Sequence, residues 1–130
     1  MNLYGTYFHA VLAELLIGAA QPEEARTRLD RALQLAEHTG MHYYDAELLR
    51  VRARTHNDTA AREAYLAAAR RLARHQGAPL FELRAAIDDF EMRGEPARAA
   101  LVGAFGRLPI DCSLPEMKRA ADLTSQTGST

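Results

Sequence analysis

Several things are scarce in this chain, and each scarcity excludes something. Cys112 is the only cysteine among 130 residues, so an internal disulfide or a thiolate zinc cage has no ligands to build it. A reducing, cytoplasmic setting is the expectation that follows. Basic excess is missing too: 16 Lys and Arg stand against 17 Asp and Glu, a formal net charge of −1. A protein that neutralises phosphates usually carries a positive surplus, so nucleic acid is disfavoured as a partner. No run approaches the roughly 18 apolar residues of a membrane span. The most apolar stretch, "FHAVLAELLIGAAQ", has no cation before it and is interrupted by Glu14, so it reads as an amphipathic helix and not as a leader. Valine and isoleucine are few and alternation is absent, which removes the case for strands.

What is present is helical punctuation. Tyr4, Phe8, Val11, Leu12, Leu15 and Leu16 recur on one helical face. Pro22, Glu23 and Glu24 then suit the first turn of a second helix, whose apolar face is Ala25, Leu29, Ala32, Leu33 and Ala36 and whose stop is Gly40. A third helix is expected over 43–54, with Tyr44, Leu48 and Val51 inward. A fourth, opened by Asp58 or Thr59, carries Leu66, Ala69, Leu72 and Ala73 to Gly77. Pro79 starts a fifth that buries Leu80, Leu83, Ile87 and Phe90. "RGEPARAA" opens a sixth with Ala97, Ala100, Leu101, Ala104 and Phe105, and a short last helix is expected over 116–123. The polar end "TSQTGST" reads as a frayed, disordered tail over 125–130, leaving 1–124 as one helical domain.

The pattern repeats. Gly40 plus 37 is Gly77, and Leu29, Ala32, Leu35, Ala36 and His38 map at the same offset onto Leu66, Ala69, Leu72, Ala73 and His75. Two helices per unit at such a period mark a helical solenoid, because a lone hairpin cannot bury both its apolar faces and must stack on another. The expected fold is all-α: a right-handed, tetratricopeptide-like solenoid of about three hairpins with a short C-terminal capping helix. The glycines supply the left-handed residue at each corner.

The run "PEEARTRLDRALQLAEHTGMHYYDAELLRVRA", followed by "ARRLARHQGAPLFELRAA" and "RGEPARAALVGAF", resembles the tetratricopeptide-like C-terminal region of large bacterial signalling proteins. Those are class III adenylate or guanylate cyclases fused to an ATPase module, and LuxR-type transcriptional regulators of similar layout. The shared marks are Ala46, Glu47, Leu48 and Arg50, then Gln76, Gly77, Ala78, Glu82, Leu83, Arg84, Ala85 and Ala86, within a likeness spanning about residues 10 to 123. The link before the last helix, "PIDCS", departs from the aromatic, glycine-containing link of those proteins. The resemblance implies a scaffold or sensor region in signal transduction or transcription regulation, and not the output activity of its larger relatives.

The familiar catalytic motifs are absent from the sequence. There is no P-loop, no Gly-x-Ser-x-Gly elbow and no His-Glu-x-x-His. Asp88 and Glu91 lie three apart, as acid/base pairs sometimes do, but beside a helix end where charge is commonly solvated. His38 and His42 have metal spacing, yet Gly40 breaks the helix between them. Arg50, Arg52 and Arg54 scatter around a helix, while Arg70, Arg71 and Arg74 form a basic edge near a helix C-terminus. Cys112 has no evident base. The expectation is therefore no enzyme, no cofactor and no metal.

A protein or peptide partner is expected instead, on the surface lined by the first helix of each pair. The outward residues there are read as Tyr7, Tyr43, Glu47, Arg50, Glu82, Arg84 and Asp89. The bland reading of Glu47, Arg50, Glu82 and Arg84 is that they tie neighbouring units together by ion pairs. Two alternatives from other classes remain. Tyr4, Tyr7 and Phe8, on a first helix with nothing before it, would favour a homodimer or larger homo-oligomer. A DNA-binding regulator using a helix-turn-helix corner is the weaker one.

Overall fold

In a computed structural model of the chain, the described residues are 11–14, 16–40, 42–109 and 111–127. Tyr4, Tyr7 and Phe8 lie outside them. Every regular element among the described residues is helical. A leading helical segment, described over 11–14 and 16–18, is followed by α1 (Pro22–Thr39), α2 (Asp45–Ala53), α3 (Thr59–Gln76), α4 (Pro79–Arg93), a 3-10 turn (Glu95–Ala97), α5 (Arg98–Gly106) and α6 (Pro115–Thr127). None of these is long and apolar enough to cross a membrane.

Local chemistry places the ends. Pro22 and Pro79 sit in the first turns of α1 and α4, where a missing N–H costs nothing. Asp58 caps α3, its carboxylate accepting from the backbone N–H of Ala60 and Ala61 at 3.4 and 3.2 Å. The α1 and α3 helices are both 18 residues long, and both end on a left-handed glycine, Gly40 at φ 74° and Gly77 at φ 67°. At the second corner the Ala78 N–H donates to the Ala73 carbonyl at 2.8 Å, closing the last turn of α3 and sending the chain directly into α4.

Three ends differ from the sequence-based expectation. Tyr43 and Tyr44 form a turn before α2, because their rings pack on each other and on Phe81 of α4 instead of joining a helix. Ala97 belongs to the 3-10 turn, since Gly94, at φ 72° and ψ −132°, redirects the chain just ahead of Pro96. The last helix runs on to Thr127, past its expected end at 123, with the Thr124 hydroxyl donating back to the Ala120 carbonyl at 2.9 Å.

The apolar interior is a series of clusters. Ala13, Ala25, Leu29, Ala32, Leu48 and Val51 join the leading segment, α1 and α2. Ala53, Leu66, Ala69 and Ala85 join α2, α3 and α4, as do Ala46, Ala73 and Phe81. Leu83, Ile87, Phe90, Leu101, Met117 and Leu123 join α4, α5 and α6. Alanine at the closest approaches lets axes come together while leucine fills the spaces between. Each helix packs on the next, and in addition α2 packs on α4 and α4 on α6. The even-numbered helices therefore form one row.

Candidate functional site

That row carries opposite charges at one-turn spacing. Glu47 and Arg50 on α2, Arg84 and Asp88 on α4, and Glu116 and Arg119 on α6 are three or four residues apart, so each pair shares a helix face. Stacking the helices brings the faces into register. Arg50 forks onto Glu47 with Nε and Nη2 each 3.0 Å from a carboxylate oxygen, and reaches Asp88 at 3.0 Å and Glu14 at 3.3 Å. Arg84 joins Glu47 at 3.2 Å to Glu116 at 2.7 Å. The chain Glu14–Arg50–Glu47–Arg84–Glu116 thus crosses the leading segment and all three even helices. It floors an open cleft of about 410 Å³, with Ile87 and Pro115 as apolar relief and Arg119 on its rim.

Burial and pairing oppose one another here. Desolvation would pull Arg50 down, but the Glu47 bond and the charges of Glu47, Asp88 and Glu14 hold it well above the ordinary guanidinium value. Arg84 is likewise raised against burial by Glu116 and Glu47. Burial pushes the Asp88 carboxyl up, and Arg50 only partly offsets it. Glu116 goes the other way: burial would raise it, but the Arg84 hydrogen bond, its backbone hydrogen bond and the charges of Arg84 and Arg50 together outweigh that and hold it low. The cleft is a fixed lattice of charges, and its arginines stay protonated at any pH a protein tolerates.

Two more sealed carboxylates use the same device. Glu82 accepts from Arg107 Nε at 3.0 Å and Nη2 at 2.5 Å, with Arg74 at 3.9 Å. Asp89 accepts from Arg93 Nε at 2.7 Å and Nη2 at 2.8 Å, with Arg70 at 3.6 Å. The side chains of Glu47, Glu82 and Asp89 are 3%, 4% and 1% exposed. Each receives a bidentate arginine and a second one behind it, the geometry that makes carboxylate burial tolerable.

The outward placement of Glu47, Glu82 and Asp89 is therefore corrected: they face neighbouring helices, not solvent. A polar residue reads as exposed by pattern alone, but an arginine three or four residues away, or across a helix contact, replaces the water it loses. Arg50 is also buried, Arg84 is half-buried at the cleft floor, and Tyr43 stands exposed at the α3–α4 corner. The cleft unites Arg50 and Arg84; Tyr43, Glu82 and Asp89 lie elsewhere. Tyr7, like Tyr4 and Phe8, falls outside the described residues.

The remaining sequence candidates resolve simply. Asp88 turns to Arg50 and Glu91 to Arg119 at 3.5 Å, so the two acids serve different guanidinium groups. His38 is exposed, whereas His42 turns to Asp45, with Nδ1 2.7 Å from Oδ2. Among the described residues no group of three metal-ligating side chains converges. Cys112 is partly buried against the α4–α6 cluster. Sequence reasoning missed Glu14, Glu116 and Arg119 as cleft residues; opposite charge at one-turn spacing on every second helix marks Glu116 and Arg119, whereas nothing local marks Glu14. No family model, curated protein or solved structure matches this chain.

Proposed function

We propose that this chain is a non-catalytic interaction or sensor scaffold. On this reading it is a right-handed, tetratricopeptide-like solenoid, similar in kind to the C-terminal regions of bacterial cyclase–ATPase and LuxR-type regulators, working in the cytoplasm. It binds a protein or peptide along the row formed by α2, α4 and α6.

The observation that carries the reading is the row itself. Its helices begin at Asp45, Pro79 and Pro115, intervals of 34 and 36 residues, and each packs on the next through a cluster shared with the odd helix between them. The equal lengths and identical glycine stops of α1 and α3 support the same repeating unit. A row of this kind presents a continuous surface several helices wide, and in this chain the surface carries a fixed alternation of charge. Fixed charges select a complementary partner and exclude others more than they add raw affinity.

Selection from a displayed peptide library against the folded chain tests the proposal. Enriched peptides should bind the wild type and lose about tenfold or more in Arg119→Glu, which reverses a half-exposed charge on the cleft rim. Selection that enriches nothing, or peptides indifferent to that reversal, would refute docking in the cleft. A turnover activity lost in Asp88→Asn would refute the non-catalytic reading.

A further inference from the structure

We propose that the corner between α3 and α4 is a second docking groove, fitted to an acidic segment of a partner protein with one aromatic or aliphatic anchor residue. It extends the scaffold reading but shares no lining residue with the ionic cleft.

The groove has two halves. One is an apolar hollow of about 220 Å³ walled by Tyr43, Ala78, Leu80, Phe81 and Leu108. The other, of about 320 Å³, is bordered by Arg74, Glu82 and Arg107. Both include Gly77, Ala78 and Pro79, so a short peptide laid across the corner reaches the two together.

The apolar half is built to hold something. Tyr43 is 59% exposed, yet its ring is braced edge-on against Tyr44 at 4.8 Å and Phe81 at 5.8 Å. A large ring kept at the surface by aromatic edges leaves a face free for a further apolar group, a geometry worth energy beyond the buried area. The wall is also pinned from behind: Gln76 Nε2 donates to the His42 carbonyl at 3.0 Å, tying the end of α3 to the segment that carries Tyr43. A preformed groove lowers the ordering cost of binding.

The charged half chooses the partner. Two guanidinium groups attend the single sealed carboxylate of Glu82, which leaves a local charge of +1. Arg107 fills its fork with Glu82, but Arg74 stands 3.9 Å away with its side chain 61% exposed. Arg71, one turn before Arg74 on α3, is exposed and pairs with no carboxylate among the described residues. An aspartate or glutamate beside the anchor would meet this surplus; a lysine would be repelled by it.

An array of ten-residue peptides tests the assignment, each pairing one leucine or aromatic residue with aspartates at varied spacing. A matched array has lysine for every aspartate. Members of the acidic array should bind, and the best of them should perturb the amide resonances of Tyr43, Gly77, Ala78, Leu80 and Phe81. That peptide should lose about tenfold in affinity in Arg74→Glu and in Tyr43→Ser, and nothing in Arg119→Glu. Both positions are exposed, so the variants fold, which circular dichroism checks. Silence of the acidic array, equal binding of the two arrays, or perturbations confined to the ionic cleft would each overturn the groove. Only the last of these leaves docking in the cleft standing with a ligand in hand, so the two sites fail separately.

Discussion

Replacing Glu47 by alanine should be among the most damaging single changes in the molecule, although it removes a charged residue. The carboxylate is sealed at 3% exposure and takes two 3.0 Å bonds from Arg50 and one of 3.2 Å from Arg84. Deleting it leaves the Arg50 guanidinium, itself only 10% exposed, with Asp88 and the half-exposed Glu14. Removing one partner of a buried ion pair costs about 3–5 kcal/mol, and the two surviving carboxylates put this case near the lower figure. At roughly 4 °C per kcal/mol for a chain of this length, the midpoint should fall by about 12 °C. Urea and thermal unfolding followed by far-UV circular dichroism give both numbers. Glu47→Gln, which keeps an acceptor oxygen, should fall between. Asp30→Ala, which removes a half-exposed partner of Arg52, should cost under about 1 kcal/mol. A Glu47→Ala variant as mild as Asp30→Ala would show that water reaches the Arg50–Glu47 contact and that the lattice does not hold the helices.

Other outcomes follow from the same geometry. Gly77→Ala meets no atom within 4 Å, so its cost is backbone strain alone, about 1–2 kcal/mol by urea unfolding; a neutral result would refute the left-handed corner. Leu83→Ala, in a fully buried position shared by α4, α5 and α6, should cost about 3 kcal/mol, while Leu35→Ala, 38% exposed, should cost under about 0.5 kcal/mol. The hydrogen bond and charge of Asp45 raise His42 above 6.5. Its contribution to stability is therefore full below 6.5 and is lost as pH rises through the elevated value. NMR titration should show that elevation, and Asp45→Asn should abolish it. His56 is lowered, by burial first and then by Arg26 and Arg52, so its effect runs oppositely: its contribution is full above 6.5 and is lost as pH falls through the lowered value.

Much of the fold is legible in the chain because punctuation and apolar period act locally. Pro22, Gly40, Gly77 and Pro79 each occupy the helix end their backbone chemistry favours. Leu29, Ala32, Leu66 and Ala69 are buried where a helical face requires them. The candidate site is much less legible. Whether Glu47 meets water or Arg84 depends on how α2 stacks on α4, a contact 37 residues away in sequence. Leu35 and Leu72 show the same limit: the offset pairs them, yet Leu35 is 38% exposed while Leu72 packs in part against the Ala46, Ala73 and Phe81 cluster.

The serial order of the helices is tested most directly by methyl NOE spectroscopy on selectively labelled protein. Cross-peaks are expected between Leu29 and Leu48 or Val51, and between Leu83 or Ile87 and Met117 or Leu123, with none between Leu29 and Leu123. Cross-peaks linking Leu29 to Leu123 would place α1 against α6 around a common axis, and the row of even helices would not exist.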